Sequence, residues 1–338
     1  MAQINKPGLH FNTVTYVGNG STTQTITGVG FQPDWSWIKN RSANNNHNMY
    51  DVVRGQSKRL KTNTDEAEID IGADFTFQSD GFYVGNRGDT NGNGNNIVGW
   101  NWKAGGSGSA NSDGDIASTV SANTTAGFSI VKWTSNGSDS DGIGHGLGVA
   151  PKIIIYKRTD GSGPWYWVYK YVDDTLDYLI LSGTNAKADL TLGTYGFSTS
   201  TTFTNLGFGN THQLIAYCFA EKKGYSKFGN YTGNGDANGT FIYTGFKPSF
   251  VIFKVTNDTD NWHMHDLKRT TNGGNPLNKV LYPNLNNSEG SVDIDFYSNG
   301  FKPRSNNNAF NASGKPYIYM AFAENPIVGT NNIPAVGE

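Results

Sequence analysis

The sequence is poor in charge and contains a single cysteine. Charged residues make up 16% of the 338 residues and the net charge is −2, so no basic surface is available for a phosphate backbone. No apolar run approaches the ~18 residues that a membrane span requires. Cys218 has no partner for an internal disulfide, and its apolar neighbours predict a buried thiol rather than a reactive one. We therefore expect no nucleic acid partner and no membrane insertion.

Signals of catalysis, metal binding and secretion are also missing. The chain contains no G-x-S-x-G, no phosphate-binding loop and no dinucleotide fingerprint. Residues 89–94 begin like a calcium-binding loop, but the twelfth position is Trp100 instead of glutamate, so the motif fails. The N-terminal residues lack the basic start and apolar core of a secretion signal, which predicts folding in the cytosol of the producing cell. We expect no enzyme activity, no cofactor and no metal site.

Glycine and aromatic residues are abundant, and their arrangement repeats three times. The 43 glycines and 13% aromatics favour short strands joined by tight turns over long helices. Each repeat begins with an aromatic residue three positions before Asn-Gly, and a proline follows that aromatic after 17, 18 or 17 positions. A Gly-Phe pair comes after a further 49, 46 or 53 positions, and an aromatic strand closes the repeat. The landmarks are Tyr16, Trp133 and Tyr231, then Pro33, Pro151 and Pro248, then Phe82, Phe197 and Phe301, then IVGWNWKA, LIAYCFAE and YIYMAFAE.

The repeat spacing divides the chain into three units of ordinary domain size. We assign unit 1 to residues 1–104, unit 2 to 117–221 and unit 3 to 222–326. Residues 105–116 are rich in glycine and serine and predict a flexible linker, and residues 327–338 predict a loosely held tail. The three units could form either a bent row or a compact pseudo-threefold arrangement.

The pattern within each unit predicts an antiparallel β-sandwich or jelly roll, so the fold class is all-β with three tandem repeats. In unit 3 the apolar runs SFVIFKV and YIYMAF are typical of buried strands, and we expect them to be neighbours in one sheet. The turns Ser-Asp-Gly-Phe at 79–82 and Ser-Asn-Gly-Phe at 298–301 are expected to deliver their phenylalanines into the core.

An aspartate followed three positions later by an arginine recurs in units 1 and 3. Asp51 with Arg54, and Asp266 with Arg269, fit a local carboxylate–guanidinium clamp that fixes a turn. Contact with a ligand is the alternative interpretation of these pairs. Unit 2 has Tyr169 at the corresponding position, which argues against a chemical role shared by all three units.

Aromatic residues and histidines precede this aspartate position and are the candidate ligand-binding residues. Exposed tryptophan and tyrosine rings can stack on sugar faces, whereas the alternation of residues in unit 2 also fits a strand with one buried face. The histidines lack the further ligands that a metal site needs, so a structural role or solvent exposure is the simpler interpretation. The candidates are Trp165, Tyr166, Trp167, Trp262, His263 and His265.

Three segments of the chain resemble a known family. They are GFQPDWSWIKNRS, KKGYSKFGNYTGNGDANGTFIYTGFKPSFVIFKV and YIYMAFAENP, and the likeness extends over residues 11–326. The family consists of repeat-bearing virion structural proteins of tailed phages of marine bacteria, often described as tail-fibre-like and as containing a domain of unknown function. The resemblance implies a place on the virion after synthesis in the host cytoplasm, with other virion proteins as partners.

Three functions are compatible with these expectations. The first is a tail-fibre or receptor-binding component whose loops recognise a host-surface glycan or an outer-membrane component. The second is a capsid decoration or accessory protein that binds other virion proteins. The third is a polysaccharide depolymerase, which requires paired carboxylates in a cleft. A particle component is expected to form a homo-oligomer, for which a trimer is one closed solution.

Overall fold

A computed structural model of the protein describes residues 3–170, 175–190, 197–205, 209–270 and 274–326. Strands account for 46% of the described residues and helices for 4%, which confirms the expected all-β class. The segment 327–338, expected to be a loose tail, lies outside the described residues. Within the described ranges, no helix combines the length and the apolar character needed to cross a bilayer.

The strands of unit 1 form a main sheet, a smaller outer sheet and a two-stranded ribbon. The main sheet has the order β1-β9-β3-β4, the outer sheet has the order β2-β8-β7, and β5 pairs with β6. Short helical turns lie at Pro7–Leu9, Gly72–Asp74 and Gly88–Asn91. The strands are β1 (Phe11–Val17), β2 (Gln24–Ile26), β3 (Trp35–Asn40), β4 (Asn48–Asp51), β5 (Lys58–Arg59), β6 (Ile69–Asp70), β7 (Phe75–Gln78), β8 (Gly81–Val84) and β9 (Asn96–Trp102).

Unit 2 has the same main sheet with extra strands at both edges. The order is β10-β11-β12-β19-β14-β15-β16-β17, and β13 pairs with β18 to form the outer sheet. The strands are β10 (Ser109–Asn111), β11 (Ser118–Asn123), β12 (Phe128–Asn136), β13 (Gly142–Gly144), β14 (Ile153–Arg158), β15 (Tyr166–Tyr169), β16 (Asp177–Ile180), β17 (Ala188–Asp189), β18 (Thr202–Thr204) and β19 (Asn210–Phe219).

Unit 3 has two four-stranded sheets. The main sheet has the order β20-β27-β22-β23, and the outer sheet has the order β21-β26-β25-β24. One 3₁₀ turn follows β23, at Leu267–Arg269. The strands are β20 (Ser226–Thr232), β21 (Ile242–Tyr243), β22 (Phe246–Val255), β23 (His263–Asp266), β24 (Leu277–Val280), β25 (Gly290–Tyr297), β26 (Gly300–Pro303) and β27 (Pro316–Pro326).

One strand order recurs in the three main sheets. The strand that carries the first aromatic landmark (β1, β12 or β20) pairs with the closing strand (β9, β19 or β27). The closing strand pairs in turn with β3, β14 or β22, which follows the proline in units 1 and 2 and contains Pro248 in unit 3. The two apolar runs of unit 3 are neighbours as predicted, because β22 pairs with β27. Gly20, Gly137 and Gly235 of the Asn-Gly pairs have φ values of 64°, 85° and 72°, a conformation that glycine adopts without strain.

The inner strands of each main sheet are buried on both faces. Successive residues of such a strand point to opposite faces and therefore enter two different cores. In β3, Trp35 and Trp37 belong to a core that all units share, whereas Ile38 belongs to the core between the two sheets of unit 1. All six residues of β3 are consequently buried. Phe82 and Phe301 of the Gly-Phe turns are fully buried between the sheets of units 1 and 3, as expected.

The three units close around one central core and do not form a row. Aromatic side chains dominate this core, and each such residue removes a large apolar area from water. The arrangement is therefore the compact one of the two that the sequence left open. The ring contacts that join the units are Trp35 with Tyr217 at 4.4 Å, Phe11 with Phe322 at 5.0 Å and Trp167 with Trp262 at 4.8 Å between centroids.

Residues 105–116, expected to be a flexible linker, are packed against unit 2. Part of the segment forms β10, which pairs with β11. The Gly105 amide donates to Ser121 Oγ at 2.9 Å. A Cβ at Gly105 would lie 2.6 Å from the Ala122 carbonyl oxygen, and one at Gly114 would lie 2.2 Å from the Gly142 oxygen. These glycines therefore permit close backbone contact. The prediction of a flexible linker is wrong because the glycines serve packing.

Candidate functional site

The structure brings each Asp–Arg pair together as a buried clamp. Asp51 Oδ2 lies 2.6 Å from Arg54 Nε, and Asp266 Oδ2 lies 2.5 Å from Arg269 Nε. The other carboxylate oxygen of each aspartate accepts the backbone N–H groups that follow it, which fixes the turn. Each arginine also donates to a main-chain carbonyl, that of Met49 or Met264. The pairs thus have the structural role that their spacing predicts.

Each clamp also forms part of a joint between two units. Asp51 Oδ2 accepts a hydrogen bond of 2.8 Å from the Tyr217 hydroxyl, which lies on the closing strand of unit 2. Asp266 Oδ2 accepts one of 2.9 Å from Nε1 of Trp100, which lies on the closing strand of unit 1. Trp100 and Tyr217 occupy the same position in their closing strands. Burial, and then the Asp51 charge, raise the pKa of Tyr217 well above its ordinary value.

The joint between units 2 and 3 has neither the aspartate acceptor nor the aromatic donor. Tyr169 replaces the aspartate, and Met320 stands at the position of Trp100 and Tyr217. A thioether cannot donate a hydrogen bond, so an aspartate facing it would be buried without that donor. The acceptor and the donor therefore change together at this joint.

The tryptophans expected near the aspartate position are buried, so they cannot stack on a soluble sugar. Trp165, Trp167 and Trp262 have at most 1% of their surface exposed. Trp167 points into the central core from β15, as the strand interpretation predicted. Tyr166 is half-buried and stacks on Tyr156, with 5.0 Å between centroids. The carbohydrate-stacking interpretation is wrong for the three tryptophans because the units close over this face.

Trp165 and Trp262 instead tie their units to the preceding unit. Trp165 Nε1 donates to the Lys61 carbonyl oxygen of unit 1 at 2.7 Å. Trp262 Nε1 donates to the Ile180 carbonyl oxygen of unit 2 at 2.9 Å. Each tryptophan lies four positions before the aspartate position of its unit. The two indole N–H groups therefore make equivalent bonds across two of the joints.

His47 takes the same position in unit 1 and completes the ring of contacts. Its Nδ1 accepts a hydrogen bond of 2.8 Å from Trp37 Nε1, so the proton lies on Nε2. Nε2 then donates to the Tyr282 carbonyl oxygen of unit 3 at 3.1 Å. Burial is the main cause that lowers the pKa of His47 well below 6.5. The ring is closed by a neutral histidine.

Backbone hydrogen bonds repeat the same cyclic pattern. A residue of each unit donates its amide N–H to a carbonyl oxygen of the following unit, so the third unit returns to the first. The bonds are Glu68 to Thr159 at 2.9 Å, Lys187 to Thr256 at 2.6 Å and Glu289 to Arg41 at 2.9 Å.

His263 and His265 pack against aromatic rings. Both imidazoles lie nearly parallel to Phe253, at 5.5 and 5.8 Å between centroids. Burial lowers the pKa of His263 to about 3 and that of His265 well below 6.5. Within the ranges that the structure describes, no three His, Cys, Asp or Glu side chains are grouped as metal ligands. The two histidines therefore contribute neutral rings to the fold.

Three buried lysines form a feature that the sequence interpretation left without a role. Lys39, Lys157 and Lys254 end the apolar runs after the prolines, and none has exposed surface. Their ammonium groups donate to main-chain carbonyl oxygens, including Asn286 for Lys39 and Asp65 for Lys157, which belong to a neighbouring unit. Burial lowers the pKa of each lysine to about 8. In the sequence, the basic residue at the end of each apolar run was the feature that could have indicated these buried lysines.

The outer sheet of unit 3 presents aromatic side chains to solvent. Phe241 and Tyr243 are 42% and 59% exposed. Gly300 lies beneath the Phe241 ring, because a Cβ at this glycine would lie 2.8 Å from Phe241 Cζ. Phe241 also contacts Tyr297, with 5.9 Å between centroids. Ile242, between Phe241 and Tyr243, is buried, but the three apolar letters FIY do not show in the sequence which residues face solvent.

A polar groove of about 420 Å³ adjoins these rings. The Tyr297 hydroxyl donates to Asp295 Oδ2 at 2.7 Å, which connects the aromatic residues to the groove wall. Arg304 Nε lies 3.4 Å from the same oxygen. We call the aromatic residues and this groove together the unit 3 face. The groove is lined by Ala237, Asn275, Pro276, Asp293, Asp295 and Arg304.

The fold and its joints define an all-β protein of three units closed on a common aromatic core. Residues 6–326 match the model of a family described as domain of unknown function DUF7483, so the chain belongs to that family. No curated protein and no solved structure matches the chain.

Proposed function

We propose that the chain is a structural protein exposed on a phage particle, where it recognises a host-surface glycan or an outer-membrane component and catalyses no reaction. The cyclic set of hydrogen bonds through His47, Trp165 and Trp262 carries this proposal. It ties three units into one body whose interior is filled with side chains. A body built in this way supports recognition on its outer surface.

The engagement of the buried ionisable groups supports the absence of catalysis. Asp51 and Asp266 are each held by an arginine and by a donor from another unit. A glycosidase needs two carboxylates on either side of the scissile bond. Asp293 and Asp295 lie two positions apart on one strand of an open face, and Asp295 is engaged by Tyr297. This geometry suits the binding of a ligand better than the enclosure of a reacting bond.

The closed arrangement of the units also favours a second candidate, a capsid decoration protein. A row of three sandwiches would extend away from a particle, whereas a body closed on a central core can lie on a shell of other proteins. This candidate needs no glycan, and its partners would be other virion proteins.

Mass spectrometry and electron cryomicroscopy of purified particles test the proposal. We expect peptides of this chain in the particles and density for the three-unit body at the distal tail. Density on the capsid shell would favour the decoration protein, and absence of the chain from particles would contradict both candidates. Release of reducing ends from a polysaccharide by the purified protein would contradict the non-enzymatic part of the proposal.

A further inference from the structure

We propose that the unit 3 face is a saccharide-binding site that takes uncharged sugar residues. This inference rests on the proposed role in surface recognition and assigns the ligand class and the residues. The site combines an aromatic platform with a groove of hydrogen-bonding groups, and the two parts are joined through Tyr297 and Asp295.

The aromatic platform provides the apolar contact that a sugar ring needs. Phe241 and Tyr243 precede and end β21, and both are exposed while Ile242 between them is buried. Gly300 lets the Phe241 ring lie close to the sheet, where a larger residue would displace it. The packing of Phe241 against Tyr297 restricts the ring before a ligand arrives. A restricted aromatic ring loses little conformational entropy on binding, which favours recognition of a weak ligand.

The groove provides both acceptors and donors. Asp293 and Asp295 offer carboxylate oxygens, which accept hydrogen bonds from sugar hydroxyl groups. Arg304 offers guanidinium N–H groups, which donate to hydroxyl and ring oxygens, whereas the Asn275 amide is bonded to the Phe296 main chain and fixes the groove wall. A saccharide hydroxyl both donates and accepts, so this mixture matches a polyol better than a purely apolar partner.

The charges of the face favour an uncharged ligand. Asp293, Asp295 and Arg304 line the groove, and Lys302 and Asp236 lie at its rim, where both are bonded to Asn238. The two cations also share one acceptor, because Lys302 Nζ and Arg304 Nη1 each donate to Asn238 Oδ1 at 2.9 Å. An acidic polysaccharide would meet the carboxylates without a surplus of positive charge, whereas a neutral hexose or N-acetylhexosamine carries no charge that they would repel.

Affinity electrophoresis of the full chain tests this inference. The gels contain a neutral galactomannan, a neutral β-glucan or chitosaccharide-grafted polyacrylamide, and a gel with alginate serves as the acidic comparison. We expect at least one neutral polymer to retard the wild-type protein and alginate not to do so. Tyr243→Ala should weaken the retardation on the order of tenfold, and Asp293→Asn should weaken it several-fold. Tyr83→Ala, on the outer sheet of unit 1, should leave it unchanged.

Several outcomes overturn the inference. They are the absence of retardation by every neutral polymer, retardation by alginate that salt removes, and retardation that Tyr243→Ala leaves intact. Concentration-dependent self-association that Tyr243→Ala abolishes, without any retardation by sugar, would assign the face to a protein contact instead. Thermal unfolding of the variants checks that they are folded. If no neutral polymer retards the protein, the proposed location on the particle is unaffected. If the chain is absent from particles, measured binding to a saccharide is still valid. The two proposals can therefore be refuted independently.

Discussion

The indole N–H of Trp100 in unit 1 donates a 2.9 Å hydrogen bond to the carboxylate of Asp266 in unit 3. The residues lie 166 positions apart in the chain, and both are buried. Asp266 also holds Arg269, so one carboxylate fixes a local turn and joins two units at the same time. Turn geometry and unit assembly are therefore coupled at a single side chain.

Replacement of Asp266 by alanine should strongly destabilise the protein. The change removes the Asp266 carboxylate from the buried Arg269 guanidinium, which keeps its ion pair with Glu289, and it leaves the Trp100 N–H without its acceptor. We expect a loss of about 3 kcal/mol in the free energy of unfolding, measured by urea titration with tryptophan fluorescence. Asp189→Ala is the control, because Asp189 pairs with Lys187 at an exposed site and its loss should cost less than about 0.5 kcal/mol. Equal effects of the two changes would contradict the prediction.

Removal of the Tyr217 hydroxyl should weaken the joint between units 1 and 2. Tyr217→Phe keeps the ring in the central core and deletes the donor to Asp51. A buried hydrogen bond to a charged group contributes about 1.5–3 kcal/mol, and we expect a loss in that range. Tyr83→Phe deletes an exposed hydroxyl that donates to the Thr22 carbonyl oxygen, and it should have a much smaller effect. The free energies of unfolding of both variants are measured by chemical denaturation. A Tyr217→Phe variant as stable as the wild type would show that the hydrogen bond to Asp51 does not stabilise this joint.

Stability should fall as the pH drops below about 6.5. Burial lowers the pKa values of His47, His263 and His265 in the folded protein, so the unfolded chain binds their protons first. The stabilisation from each neutral histidine is fully present above 6.5 and is lost as the pH falls toward the folded pKa, which is about 3 for His263. His47→Gln should reduce the slope of unfolding free energy against pH between 4.5 and 6 by up to about 1.4 kcal/mol per pH unit. Parallel slopes for variant and wild type would show that His47 does not titrate on unfolding.

Cys218 should react with a thiol reagent only after unfolding. It is fully buried in the core of unit 2, and burial raises its pKa, so the reactive thiolate is scarce. We expect Ellman's reagent to label less than one tenth of the native protein in the time that labels the urea-unfolded protein completely. Rapid labelling in native buffer would show that the core of unit 2 opens.

The sequence predicted those features that depend on neighbours in the chain. The Asn-Gly turns, the buried Gly-Phe residues and the Asp–Arg clamps all arise within short segments, so residue types and spacing were enough. The all-β class followed from the same local patterns of glycine, aromatic residues and short apolar runs.

The role of the aromatic loops depended on contacts between units, which no local pattern reports. Trp165 was a candidate for sugar stacking because it is one of several aromatic residues before the aspartate position, yet its indole N–H donates to the Lys61 carbonyl oxygen. Likewise, a stretch rich in glycine and serine has the composition of a linker, and only the proximity of β11 shows that Gly105 serves close packing. Phe241 and Tyr243 were missed because a short aromatic strand looks the same whether its alternate residues meet a second layer or solvent.

The central core that the three units share has a consequence for synthesis of the chain. Contacts such as His47 with Tyr282 span 235 positions, so unit 1 leaves the ribosome long before its partner exists. Until unit 3 is made, Phe11 and Trp102 of unit 1 lack their contact with Phe322 and expose apolar surface that promotes aggregation. Phe322 lies on the last closing strand, so a chain truncated before β27 leaves Phe11 and Trp102 without this contact. The time needed to translate the rest of the chain then determines how long the nascent protein is exposed to aggregation.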